Sequence, residues 1–103
     1  MTAFQDKVYK LTSSIPRGRV STYKEIARAM HSKAYRAVGS ALRVNPHAPR
    51  VPCHRVVNSD GSVGSYAGKL HSRKKIEMLR REGIRIENNR ILEFDIVIFK
   101  CRE

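Results

Sequence analysis

The 103-residue chain has room for one compact domain and little more. Apolar residues make up 41% of it, enough for a real core and too many for a disordered chain. Lysine and arginine number 21 against 9 acidic residues, and the formal charge of +12 points to a polyanionic partner, nucleic acid first and membrane headgroups second. No apolar run approaches the roughly 20 residues of a spanning helix. The opening "MTAFQDKVYK" lacks the apolar stretch of a signal peptide. These features predict a soluble protein of the cytoplasm, or of the nucleus in a eukaryote. Cys53 and Cys101 are the only cysteines, and neither sits in a C-x-x-C or H-x-x-x-H pattern. Nothing around them suggests secretion, so neither a disulfide nor a metal site is expected.

In chain order, Phe4, Val8, Leu11 and Ile15 recur at helical spacing and predict a first helix ending at "IPRG". "GRVST" is a short extended link. Thr22, with Glu25 three residues on, has the form of a capping box. Behind it, Tyr23, Ile26, Ala27 and Met30 form one apolar stripe, and "HSK" breaks this helix after about two turns. A third helix, roughly Ala34 to Val44, turns Ala34, Val38, Ala41 and Leu42 to one side. Arg36, Ser40 and Arg43 fall on the other, flanked by Ala37 and Gly39. Two short helices across a three-residue turn read as a helix-turn-helix. Its outward face is small and basic, either a solvated surface or one that lets a backbone approach a DNA groove while arginines reach phosphates. The overall charge favours DNA.

"NPHAPRVPCHRVVNSDGSVGSYAG" is rich in proline and glycine and has little helical period. It reads as a long shaped loop with one extended piece at Val56–Val57, and such loops in small domains are usually functional. A fourth helix is predicted from near Ser72, burying Ile76 and Leu79 and stopping at Gly83. "IRIENNRILEFDIVIF" reads as a hairpin or wing around Asn88-Asn89. There is no repeat and no second domain.

Cys53 has two readings. It is a small buried core residue, or it is a nucleophile in a loop whose basic neighbours, His54 and Arg55, favour the thiolate. In an extended segment adjacent side chains point to opposite sides. His54 then need not touch Cys53, and a water bridges them in the nucleophile reading. Glu82 ends its helix where a negative charge opposes the macrodipole. It is an exposed, mildly unfavourable acid, or a nearby cation such as protonated His54 compensates it.

"VPCHRVV" resembles the active-site motif of the O6-alkylguanine-DNA alkyltransferases, also called methylated-DNA–protein-cysteine methyltransferases. The likeness runs back through "RAVGSALRVNP" and "STYKEIA" and forward through "GSVGSYAG" and "EG", in order and near the right spacing. It implies a mainly α fold with a small β wing, a winged helix-turn-helix domain of the alkyltransferase C-terminal type. It further implies binding to the minor groove of double-stranded DNA as a monomer, and flipping of O6-alkylguanine. One stoichiometric transfer of the alkyl group follows, less well from O4-alkylthymine, with no cofactor.

By position, the resemblance makes Cys53 the acceptor, with His54 (through a water) and Glu82 as the deprotonating relay. Tyr23 crowds the phosphate and bonds the base at N3, and Arg36 fills the vacated stack. The carbonyls of Cys53 and Val56 take the guanine amine, Ala67 N–H donates to O6, and Tyr66 and Leu42 wall the pocket. Ala37, Ser40 and Arg43 face DNA beside Arg36. Asn45 ties the recognition helix to the active-site loop. Tyr23 and Leu42 also read as core residues. The family's usual N-terminal domain is expected to be absent, and with it any metal. "GKLHSRKK" is about two residues longer than the family pattern, and Ser40 stands where glycine is common. A lesion-binding sensor that does not transfer is the rival reading. Such proteins usually carry tryptophan at the position of Cys53. A plain winged-helix regulator would explain the charge but not "PCHRV".

Overall fold

The computed structural model describes residues 2–64 and 73–102. Helix α1 (Ala3–Ser13) opens on a full capping box: Thr2 accepts from Gln5 N, and the Gln5 side chain reaches back to Thr2 N. Strand β1 (Ser21–Thr22) leads into α2 (Tyr23–Ala29), and α3 (Tyr35–Arg43) follows. A 3₁₀ turn at Cys53–Arg55 runs into strand β2 (Val56–Val57), which pairs in parallel with β1. Helix α4 (Arg73–Arg81) precedes the hairpin β3 (Ile86–Glu87) and β4 (Arg90–Ile91), then the short helix α5 (Phe94–Val97). The result is mainly helical with a small β wing.

Helix ends follow from local chemistry. At α4, Gly83 (φ 92°) donates to Arg80 O and Ile84 N donates to Leu79 O, which closes the helix with Glu82 as its C-cap. The same pattern ends α2 at His31 (φ 57°), whose N–H goes to Arg28 O while Ser32 N goes to Ala27 O. Thr22 caps α2 by accepting from Glu25 N at 2.9 Å, but the Glu25 carboxylate pairs with Arg28, so only half of the expected capping box forms.

Two cores share the β1–β2 ladder. Val8, Leu11, Ile26, Val38 and Leu42 pack from α1, α2 and α3 together with Val56 and with Ile15 just beyond α1. Val57 faces the other way, onto Val20, Val63, Leu79, Ile84, Ile86 and Ile91. Alternation along β2 therefore joins the helical part to the wing. Tyr9 Oη donates to Ala41 O at 2.7 Å and ties α1 to α3.

Three expectations need correction. Ala34 is exposed and only the N-cap of α3, because that helix starts one residue later than the stripe suggested. Ile76 is half-buried against the second core, whereas Leu79 is fully buried. The hairpin is short. Asn88 (φ 50°) and Asn89 (φ 62°) supply the left-handed turn, but Glu93 (φ 55°) then starts a helical turn. Phe94 and Val97, three apart, both pack onto the second core, a helical rather than an alternating arrangement. No described helix is long and apolar enough to cross a membrane.

Candidate functional site

Pro52 leads into the turn that carries Cys53, His54 and Arg55. Arg55 N donates to Pro52 O at 2.9 Å, so the segment is a 3₁₀ turn and not the extended stretch expected. Successive side chains in such a turn fan out at roughly 120°. Cys53 packs into the first core at 8% exposure, while His54 and Arg55 are carried to Glu82.

Glu82 holds this cluster together. Its Oε2 takes His54 Nε2 at 2.9 Å and an Arg55 terminal nitrogen at 2.8 Å, and its Oε1 takes Arg55 Nε at 2.9 Å. A further Arg55 nitrogen donates to Ile15 O at 2.8 Å. Burial alone would raise the Glu82 carboxyl, but the hydrogen bonds from Arg55 and His54 outweigh it and hold the group below its ordinary value. Burial lowers the His54 pKa, and the bond to Glu82 offsets this only in part. The cation that compensates Glu82 is therefore Arg55, and His54 rests neutral. Of the two readings of Glu82 the compensated one holds, with Arg55 as the cation in place of a protonated His54. An ionised Glu82 only accepts, so His54 Nε2 carries the proton and Nδ1 is left as the acceptor. Nδ1 is buried and has no hydrogen-bond partner among the described residues.

Lys75 was not singled out in the sequence. It is fully buried, its Nζ donates to Val56 O at 2.6 Å, and it lies 5.9 Å from the centre of the Tyr23 ring. Burial lowers its pKa to about 7, and the Cys53 charge works the other way, favouring the ammonium. The available signal was position: Lys75 lies four residues before Leu79, on the buried stripe of α4. Between pH 7 and the ordinary lysine value of 10.5 the unfolded chain binds more protons here than the folded one. Folding stability is therefore expected to rise with pH from about 7 to 9. Beyond that, the raised pKa values of Cys101 and Tyr23 act in the opposite sense. Urea unfolding across this window tests the claim: Lys75→Met should flatten the rise, and an unchanged slope would refute it.

Tyr23 is half-buried beside Gly39, whose added Cβ would lie 3.8 Å from its ring. Burial first, then Cys53, pushes its pKa up to about 12, so it stays a hydrogen-bond donor. Tyr23 lines a groove of about 370 Å³ with Tyr35, Arg36, Gly39, Ser40, Arg43, Asn58 and Gly64. Arg36, Ala37, Ser40 and Arg43 are exposed, as the helical spacing predicts. Leu42 is 5% exposed and packs in the core cluster that contains Cys53. Val56 is fully buried and its carbonyl already accepts from Lys75, leaving one lone pair for any ligand. Asn45 Nδ2 donates to Val51 O at 2.9 Å and its Oδ1 accepts from His47 N at 2.9 Å, which joins the end of α3 to the segment before Cys53. Tyr66 and Ala67 lie outside the described residues.

These elements define a winged helix-turn-helix domain with a basic groove, and with one turn that carries a cysteine, a histidine and an arginine, the last two bound to Glu82. The family model described as 6-O-methylguanine DNA methyltransferase, DNA binding domain, matches residues 3–84, and the chain belongs to that family. It is 43% identical over 94 residues to a bifunctional methyltransferase/endonuclease of Thermoplasma volcanium, covering 90% of this chain and 29% of the relative. It is 44% identical over 85 residues to a methylated-DNA–protein-cysteine methyltransferase of Methanosarcina barkeri, covering 82% of this chain and 54% of the relative. The chain thus spans about half or less of the length of these relatives.

Among solved structures, S. pombe Atl1 in complex with damaged DNA containing O6-carboxymethylguanine superposes with a TM-score of 0.86 at 32% identity, covering 97% of both chains. The O6-methylguanine-DNA methyltransferase of Pyrococcus kodakaraensis gives 0.72 at 42% identity, covering 82% of this chain and 48% of that one.

Proposed function

We propose that this domain repairs O6-alkylguanine in double-stranded DNA by taking the alkyl group onto Cys53, once per molecule. The observation that carries this is the buried cluster joined to Cys53 through one 3₁₀ turn. His54, its charged form disfavoured by burial, is bound to Glu82 through Nε2, and its buried Nδ1 has no partner among the described residues. Nδ1 accepts the thiol proton, through one water as the resemblance implies. Glu82 then faces the new imidazolium, with Arg55 holding the carboxylate in place. The thiolate attacks the alkyl carbon in line; the S–C bond forms as the O6–C bond breaks, and the electron pair leaves on O6. Tyr23, still protonated at neutral pH, hydrogen-bonds ring nitrogen N3, and Ala67 N–H, as the resemblance implies, hydrogen-bonds O6; the guanine anion then takes a proton from water, and the imidazolium returns the one it took to solvent. The thioether is a poor leaving group, so the protein is consumed.

Arg36 at the groove fills the stack vacated by the flipped nucleotide, while Ala37, Ser40 and Arg43 meet the minor-groove backbone. One monomer acts per lesion, and O4-alkylthymine is a slower substrate. The domain needs no cofactor. Incubation with an oligonucleotide carrying O6-methylguanine, followed by intact-mass measurement and peptide mapping, tests the proposal. One added methylene on Cys53 is expected; an unchanged mass with guanine still methylated refutes transfer.

A second reading, lesion binding without transfer, is favoured by the near-complete mutual coverage with Atl1, a protein solved on damaged DNA. Tight binding of the alkylated duplex with no mass change would establish it instead. Cys53, at the position where such sensors usually carry tryptophan, weighs against it.

A further inference from the structure

We infer that Asn58 reads the exocyclic amine of a guanine next to the lesion, giving the domain a preference for damage flanked by a G·C pair. This rests on the DNA reading above and deepens it.

Asn58 lines the groove together with Arg36, Ser40 and Arg43. It begins a tight turn: Asn58 N donates to Ser62 O at 3.0 Å and Gly61 N donates to Asn58 O at 3.0 Å. The turn is fixed to the β3–β4 hairpin by Ile91 N to Gly61 O and Val63 N to Asn89 O, both 2.9 Å. Arg90 also donates to Asp60 O at 3.0 Å. The side chain at 58 is thus presented from a braced support.

Its orientation follows from the donors and acceptors beside it. Ser62 Oγ lies 2.7 Å from Asp60 Oδ1, and Ser62 N lies 2.9 Å from the same oxygen. The two Ser62 hydrogen bonds hold the Asp60 carboxyl below its usual range, so it only accepts. The Ser62 hydroxyl must therefore spend its proton on Asp60. What faces that hydroxyl at 2.9 Å from Asn58 must then be the donor, Nδ2. The carbonyl oxygen Oδ1 takes the other side, and among the described residues nothing donates to it. Gly64 keeps the amide uncovered, since a Cβ there would come within 3.2 Å of Nδ2.

An outward acceptor on a groove of arginines has a narrow choice of partner. Phosphate oxygens, adenine N3 and thymine O2 are all acceptors, so they suit the arginines and repel Oδ1. In the minor groove of paired DNA the one donor on the base edges is the guanine N2 amine.

The test uses duplexes carrying O6-methylguanine with guanine in the flanking pairs, and the same duplexes with hypoxanthine, which lacks that amine. Each flanking position on each strand is replaced in turn. Competition binding at fixed salt is read with Cys53→Ala protein, so that the ratio does not depend on transfer. A preference of about fivefold for guanine is expected at one position or more. Adding Asn58→Ala should bring the ratio to about one. Ser62→Ala should also lower it, by freeing the amide to turn over. Melting curves check that both variants fold.

No guanine preference at any position, a preference for hypoxanthine, or a preference that survives Asn58→Ala would each overturn the inference while leaving DNA binding intact. Failure to bind alkylated duplex at all would overturn the DNA reading itself, and is told apart by the absence of any complex.

Discussion

Cys53→Ala is expected to reduce alkyl transfer to an undetectable rate while changing affinity for alkylated duplex by no more than a few-fold. The substitution removes the proposed nucleophile and nothing else that faces DNA. Cys53 sits in the first core at 8% exposure, so the loss of its sulfur costs on the order of 1 kcal/mol of stability, too little to unfold a domain of this size. Affinity should rest mainly on phosphate contacts from exposed residues such as Arg36 and Arg43, which are untouched. Single-turnover transfer from labelled DNA gives the first quantity, and anisotropy at fixed salt gives the second. Cys101 is the other thiol, but it is 2% exposed and burial raises its pKa, so it makes a poor substitute. Transfer that persists in the alanine variant would remove Cys53 from the centre of the mechanism.

Glu82→Gln should damage both chemistry and fold, and the hydrogen-bond inventory says why. The carboxylate accepts three bonds, two on Oε2 and one on Oε1. A glutamine offers one oxygen and one amino group, so at least one Arg55 N–H must face another donor. If the amino group replaces Oε2, His54 escapes a clash only by moving its proton to Nδ1, which destroys the base. With the Glu82 side chain 8% exposed and that of Arg55 17% exposed, the loss is expected to be about 3 kcal/mol. Removing a charge that opposes the helix dipole returns only about 0.3–1 kcal/mol.

The sign with pH is fixed by the lowered Glu82 pKa. Its contribution is present above the ordinary carboxyl value of 4.5 and fades as pH falls through the folded-state value. The stability gap between wild type and variant should therefore narrow in acid. Transfer should be slowed most near neutrality, with the deficit shrinking as hydroxide takes over deprotonation. Denaturant unfolding from pH 3 to 8 and transfer rates from about pH 6 to 10 check both halves. A variant as stable as wild type, or slowed equally at every pH, would contradict the relay.

How much of this was legible depended on the range of the interaction that decides it. The first three helices follow from spacing within a few residues, and Thr22, Gly83 and the Asn88-Asn89 pair announce their ends and turn. The outward set on α3 was readable because a helical wheel needs no partner. The resemblance indicated that His54 and Glu82 belong together, 28 residues apart. The arginine that neutralises Glu82 was hidden, because Arg55 was one of 21 basic residues and its acceptors, Glu82 and Ile15 O, lie far along the chain. Lys75 was hidden for a related reason: in "RKKIEMLRR" charge is the background, and only packing reveals which lysine is inside. "LEFDIVIF" was misread because alternation and helical period overlap in so short an apolar run, and burial of Phe94 with Val97 decided between them.

The parallel ladder between Ser21–Thr22 and Val56–Val57 closes a stretch of about 35 residues, and the Arg55–Glu82 pair closes another of 27. Contacts at such separations form late, after the local helices, because the chain entropy of each closure must be met first. During synthesis, Cys53 emerges well before residue 82 and has no relay when it does. On the proposed mechanism the nascent chain carries an unassisted thiol, and the assisted one exists only when the groove that selects its substrate exists too. On that same mechanism, the order of assembly would keep the thiol unassisted, and so less open to stray electrophiles, until the groove has formed.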